Sequence, residues 1–283
     1  MPRPSPAWFD AQYNARARIP GHPAILRHWA DASAEALARP GWVLDLAYGD
    51  DASERLDILP ASGPSAPILV YIHGGYWRAL DKRDQAFVAP PFADAGAMVV
   101  QLNYALCPAV SIAQIALQLV QALAWVWRHA AEHGGDRDRI VVAGHSAGGH
   151  LAAMLLACDW QAVAPDLPVD LVKSALAISG LYELEPLRHA PFLAADIGLS
   201  AAAARRLSPA LWPAPAHGRL ATVVGGDESE EFLRQSALIS SAWGTVVVAA
   251  ETVAGRNHMD VLHELADPRS RTHALALELL GIP

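Results

Sequence analysis

Six short runs of mostly apolar residues, at 68–72, 98–102, 140–143, 175–178, 220–224 and 245–248, constrain what this chain can fold into more than any other feature. None alternates polar and apolar residues as a strand with one wet face does, so each is expected to lie buried on both faces of a sheet. Longer helical stretches separate them. In the clearest, 111–133, Ile112, Ile115, Leu119, Leu123, Val126 and Trp127 recur at spacings of three and four, the period of an amphipathic helix. Ser111 with Gln114 forms a capping box at its start, and Gly134 is a natural stop. Strands alternating with helices predict an α/β chain: a mostly parallel central sheet of about eight strands, helices on both faces, and right-handed crossovers. Upstream, 42–48 and 55–59 read as an antiparallel pair opening the sheet, and 23–39 as a helix packed outside it. The stretch 181–215 breaks the rhythm with several prolines, an Ala-rich helix near 200–207 and no strand, and reads as a small lid-like insertion. The expectation is one domain over all 283 residues, with an N-terminal extension over about 1–40. Ligands of such sheets bind beyond the carboxyl ends of the strands, so the loops that follow the strands carry the function.

Composition removes several classes. With 21 basic against 29 acidic residues the formal charge is −8, and no block of Lys or Arg occurs. That argues against nucleic acid and against an anionic membrane surface. No apolar run approaches the roughly 18 residues of a spanning helix. The opening MPRPSPAWFDAQYNARARIPG has no apolar core of the kind a secretory leader carries. The two cysteines, Cys107 and Cys158, make no disulfide framework, and a reducing cytoplasm is the expected setting. No zinc, phosphate-loop or dinucleotide motif is present, so neither a metal nor a cofactor is expected. A homodimer is the base-rate expectation for assembly.

The chemistry begins at 140–150, IVVAGHSAGGH. Gly144 and Gly148 flank Ser146 in G-x-S-x-G, after an apolar strand and before a helical stretch at 151–157. A nucleophilic serine on so tight a turn needs neighbours without side chains, and the helix start favours developing negative charge. A plain Gly-rich strand-to-helix turn is the alternative. The run 68–72 leads directly into His73, Gly74, Gly75, Tyr76 and Trp77. Two adjacent glycines there let backbone N–H groups face a cavity, as an oxyanion of acyl transfer requires. With the N–H of Ala147 they form the candidate oxyanion hole. His73 lies inside that loop and braces it better than it would serve as a base. Tyr76 and Trp77 are candidates for an aromatic wall of the substrate pocket, with loop packing as the alternative.

A serine nucleophile in this setting needs an acid and a base later in the chain, in the order Ser, Asp/Glu, His. Asp227 follows Gly225 and Gly226 at the end of 220–224 and is the candidate acid, with Glu228 as rival and helix capping as the bland role. His258 follows the last strand and is the candidate base; His263 and His273 are rivals at helical positions.

These residues resemble a known family. The HGGYW loop at 73–77, GHSAGGH at 144–150 and the order Ser146, Asp227, His258 look like the arylformamidases (kynurenine formamidases) of the α/β-hydrolase superfamily. The segment EFLRQS at 231–236 is similar to one in that family, and Tyr13-Asn14-Ala15-Arg16 to its opening. The likeness spans nearly the whole chain. It implies an α/β-hydrolase fold and hydrolysis of N-formyl-L-kynurenine to kynurenine and formate, with Ser146 as nucleophile, Asp227 as acid, His258 as base and Gly74 and Gly75 near the oxyanion. The alternative activity is a short-chain carboxylesterase of small-molecule esters. A binding module on the same fold would need neither the serine constellation nor the glycine loop.

Overall fold

The computed structural model describes residues 4–283, so the first three residues of the N-terminal extension lie outside it. Helices α1 (Pro6–Tyr13), α2 (Ala15–Arg18) and α3 (His22–Ala38) lead into β1 (Val43–Ala47), β2 (Arg55–Leu59) and β3 (Ala66–Ile72). Then α4 (Ala89–Asp94) precedes β4 (Met98–Leu102), and α5 (Ile112–His129) precedes β5 (Gly135–His145). Next, α6 (Ala147–Leu156) and α7 (Trp160–Val163) precede β6 (Val172–Ile178). Helices α8 (Pro191–Ile197) and α9 (Ala201–Arg206) fill the interval before β7 (Arg219–Gly225), and α10 (Glu230–Trp243) leads to β8 (Val247–Val253). Helices α11 (Val261–Ala266) and α12 (Arg271–Leu280) follow.

The eight strands form one sheet in the order β1-β2-β4-β3-β5-β6-β7-β8. The β1–β2 and β2–β4 pairs are antiparallel, and every pair from β4 to β8 is parallel. Successive side chains of a strand point to opposite faces, and both faces here are apolar. Ile68, Val70 and Ile72 of β3, with Ile140 and Val142 of β5, join the core beneath α5, α6 and α10. Leu69, Tyr71, Val141 and Ala143 join a second core beneath α3, α4, α11 and α12. Ser111 caps α5 with Gln114 in a reciprocal box, and Gly134 stops the following turn at φ 83°. In the interval 181–215, Leu181, Tyr182, Leu184, Leu187 and Leu193 are fully buried in the first core.

The last strand differs from the sequence expectation. Gly244 ends α10 at φ 53° and opens a 3-10 turn over 244–246, and β8 starts only at Val247. Its residues alternate between half-buried and exposed, because it is the outermost strand and only its inner face is covered. Among the described residues, no helix is long and apolar enough to cross a membrane.

One buried charge pair ties the sheet to the loop after β3. Lys82 is 3% exposed, and its Nζ lies 2.8 Å from Oδ2 of the equally buried Asp57 on β2 and 2.8 Å from Oδ1 of Asp45. Asp57 Oδ1 also accepts the Asp45 N–H. Removing one member of such a pair strands a charge in a low dielectric, at a cost of about 3–5 kcal/mol. Lys82→Met is therefore expected to lower the unfolding free energy by about that amount, and Lys82→Met with Asp57→Leu to recover most of it; urea denaturation of the two variants checks this.

Candidate active site

The loops at the carboxyl ends of β3, β5 and β8 line one cavity, and the loop after β7 reaches it only through the contact of Glu228 with His258. Ser146 occupies the turn between β5 and α6 with φ 57° and ψ −115°, a strained conformation for a residue with a side chain. The turn closes because its flanks lack side chains. A methyl on Gly144 would collide with the carbonyl of Gly148, and one on Gly148 with the carbonyl of Ile72. The Ser146 N–H is fixed by a 2.8 Å bond to Ile178 O at the end of β6.

His258 sits in the loop between β8 and α11. Its Nε2 is 3.0 Å from Ser146 Oγ, and its Nδ1 is 2.6 Å from Glu228 Oε2. A carboxylate only accepts, so Nδ1 carries the proton and Nε2 is free to take one from the serine. The ring packs on Phe232 at 4.2 Å between centroids. The loop is clamped by Asn257, whose Oδ1 accepts the N–H groups of Met259 and Asp260 and whose Nδ2 donates to Asp260 Oδ2 at 2.7 Å.

The carboxylate on His258 is thus Glu228, not Asp227. After Gly225 and Gly226 the chain turns away from the sheet, and the Asp227 N–H donates to Arg256 O at 2.9 Å while its carboxylate is exposed. Glu228 is one residue further round and one methylene longer. It folds back so that Oε1 accepts the Gly225 N–H at 2.8 Å and the Ser179 hydroxyl, which leaves Oε2 for His258. Helix capping falls to Ser229, which accepts the Phe232 N–H. Ser179 had no motif to mark it.

The loop after β3 runs beside the elbow. Gly75 has φ 105° and lines the cavity with Ser146. Among the described residues, the N–H groups of Gly74, Gly75 and Ala147 donate to no protein acceptor. His73 is fully buried, stacks on Tyr104 at 4.3 Å and does not line the cavity. Tyr76 forms part of the cavity wall and donates its hydroxyl to Tyr13 O at 2.6 Å. Trp77 does not reach the cavity. It is fully buried in the core, edge-on to His150 at 5.1 Å and edge-to-face with Tyr76 at 6.2 Å, so that Tyr76 stands between it and the cavity wall in a stretch where both residues have left-handed φ, 53° and 56°.

The cavity encloses about 320 Å³, at the small end of ligand sites. Much of its wall comes from the N-terminal segment, with Asn14, Ala15 and Arg16 around α2 and Leu26 and Trp29 from α3. The stretch 181–215 supplies Phe192. His263 accepts the Trp29 indole N–H at 3.0 Å and His273 is buried against Phe92, so neither rival histidine faces the serine. Among the described residues, no group of three His, Cys, Asp or Glu is gathered to hold a metal.

His145 underpins His258. Its Nε2 donates to the backbone carbonyl of His258 at 2.7 Å. Burial, with His258 nearby, pushes the His145 imidazole down to about 3, and burial pushes that of His150 down to about 4. Both rings are neutral in the folded protein, while the unfolded chain protonates them below about 6.5. Between about pH 4 and 6.5 the unfolded state holds more protons, so the stabilisation complete above that window is lost as pH falls, at roughly 1.4 kcal/mol per pH unit for each ring. Urea midpoints are expected to decline from pH 7 to 5, and His150→Gln to lessen the slope by about one proton; an unchanged slope would show that His150 is not held neutral.

Comparison with known proteins gives three kinds of match. The BD-FAE family model matches residues 56–162. The kynurenine formamidase of Danio rerio is 28% identical over 98% of this chain and 94% of its own length. Esterase LipQ of Mycobacterium tuberculosis is 32% identical over 50% of this chain and 35% of its own. Among solved structures, a Silicibacter sp. protein whose thioesterase description is provisional superposes with a TM-score of 0.82 at 30% identity, covering 97% of this chain and 98% of that one.

Proposed function

We propose, from the premise that the chain belongs to the arylformamidase-like esterase family of α/β-hydrolases, that it hydrolyses an aryl formamide of the N-formyl-L-kynurenine type through a covalent acyl-serine. The observation that carries the reading is the hydrogen-bonded chain Glu228–His258–Ser146, opening into a small cavity walled by Trp29, Tyr76 and Phe192. The formamidase match extends along nearly all of this chain, whereas that of LipQ stops at half, which favours the formamide over a general ester.

Ser146 Oγ attacks the formyl carbon while His258 Nε2 takes its proton. The carbonyl oxygen becomes anionic against the undonated N–H groups of Gly74, Gly75 and Ala147. Glu228 holds the ring in its reactive tautomer and stabilises the imidazolium. The C–N bond then breaks, and the aryl amine leaves with the proton from His258. Water gives a proton to His258, attacks the formyl ester, and releases formate as Ser146 regains its hydrogen. An aniline is a better leaving group than an alkylamine, so esterase machinery suffices. A formyl group fills little of the cavity, leaving the aromatic walls to the aryl ring.

Side-by-side assay of N-formyl-L-kynurenine and short-chain p-nitrophenyl esters, with EDTA present, tests the substrate; kcat/KM is expected to be higher for the formamide, and activity on esters alone would make the protein a carboxylesterase. Ser146→Ala is expected to lower kcat by roughly 10⁶. Glu228→Gln should cost about 10⁴ by losing the tautomer control, while Asp227→Asn stays near wild type. The reverse ranking of the two acids would overturn the assignment of Glu228.

A further inference from the structure

The wall of the cavity carries charge of one sign. Among the described residues, the basic side chains that line it are Arg16, Arg78, His145 and His258, and no Asp or Glu lines it. Arg78 is neutralised, since its guanidinium pairs with Asp196 and donates to Phe192 O at 2.8 Å. Arg16 is not. Among the described residues its guanidinium makes no hydrogen bond and no ion pair, and it is exposed to solvent. Arg18, one turn-half later, donates instead to Ala11 O and faces a different depression.

The backbone that presents Arg16 is anchored. Tyr13 is fully buried and donates to Glu231 on α10, and its carbonyl accepts the Tyr76 hydroxyl. Asn14 Oδ1 caps α2 by accepting the Ala17 N–H at 3.2 Å, and Ala15 is buried. An uncompensated cation thus stands on a fixed platform at the cavity of a chain with a net charge of −8. A guanidinium in that position matches a carboxylate in a two-pronged, charge-assisted pair and draws anions towards the nucleophile.

We propose that Arg16 binds a carboxylate on the leaving-group portion of the substrate, so that the enzyme selects anionic aryl amides or esters over neutral ones. The inference rests on the hydrolase reading above and names the part of the substrate that the serine machinery does not touch. An ammonium beside that carboxylate finds no partner acid in the wall and stays in solvent.

The test uses two matched pairs of substrates with wild type, Arg16→Ala, Arg16→Lys and Arg16→Glu. One pair is N-formyl-L-kynurenine and the uncharged formanilide. The other is 3-acetoxybenzoate and the uncharged 3-acetoxybenzamide. Losing a charge-assisted pair is expected to raise KM for the anionic member roughly tenfold to a hundredfold in Arg16→Ala, with kcat nearly unchanged and the neutral members unaffected. Arg16→Lys recovers part of the loss and Arg16→Glu deepens it. Equal losses on charged and neutral substrates, or no loss on either, would overturn the role of Arg16. Wild type inert on both formamides, yet losing its preference for the charged acetate in Arg16→Ala, would remove the formamidase reading and uphold the arginine.

Discussion

The contact on which the site depends is between two backbones. At Gly148 the first turn of α6 comes so near the end of β3 that a methyl would overlap Ile72 O and stand 2.8 Å from His73 O. No side chain larger than hydrogen fits, and that is what brings the start of α6 against the loop 73–77. The register does the rest. Ile72 pairs with Gly144 across the parallel β3–β5 ladder, so the elbow and the glycine loop leave the sheet side by side. Ala147 is then positioned by the ladder and the helix, and Gly75 comes beside it through the left-handed turn of its loop at φ 105°. Preorganised donors of this kind stabilise an oxyanion without having to reorient as it forms.

The carboxyl ends of the strands are also stitched laterally. Ser146 N–H bonds Ile178 O of β6, Ser179 N–H bonds Val223 O of β7, and Gly226 N–H bonds Val253 O of β8. Each loop leaving the sheet is held to the next strand over. Ser146, Glu228 and His258 follow β5, β7 and β8, so this staircase sets the relative heights of the three residues. The β6 loop contributes no member of the chain Glu228–His258–Ser146, but Ser179 occupies one oxygen of Glu228. That leaves the carboxylate a single orientation for the imidazole.

What the sequence made legible follows from how local each feature is. The buried strands, the α5 capping box and the serine elbow are written in contiguous residues, and short-range sterics suffice to read them. Distinguishing Asp227 from Glu228 requires knowing which way the chain turns after Gly226, and that turn is set by the Arg256 carbonyl, far along the chain. Taking the first acid after the glycines ignores the extra methylene that lets Glu228 fold back onto Gly225. Trp77 was ambiguous for a related reason: the loop passes through two consecutive left-handed residues that send Trp77 into the core, and no residue type there announces them. The strand β8 begins later than its apolar run because Gly244 closes α10 with a turn that consumes 244–246. The contribution of the N-terminal segment to the cavity wall is a purely tertiary fact.

That tertiary fact couples substrate side and chemical side through one helix. Helix α10 begins just after Glu228, and its first turns carry Glu231, which accepts the Tyr13 hydroxyl, and Gln235. Gln235 Oε1 accepts the N–H groups of Tyr182 and Glu183, while its Nε2 donates to Glu183 O and to Tyr13. Burial and the adjacent Glu231 hold the Tyr13 phenol well above its ordinary range, so it remains a donor throughout neutral pH. The N-terminal segment that walls the cavity and the stretch entering 181–215 are therefore both fastened to the helix that follows Glu228. Shaping the cavity wall and orienting His258 are accordingly one packing problem here, with the polar cluster of Tyr13, Glu231 and Gln235 at its centre.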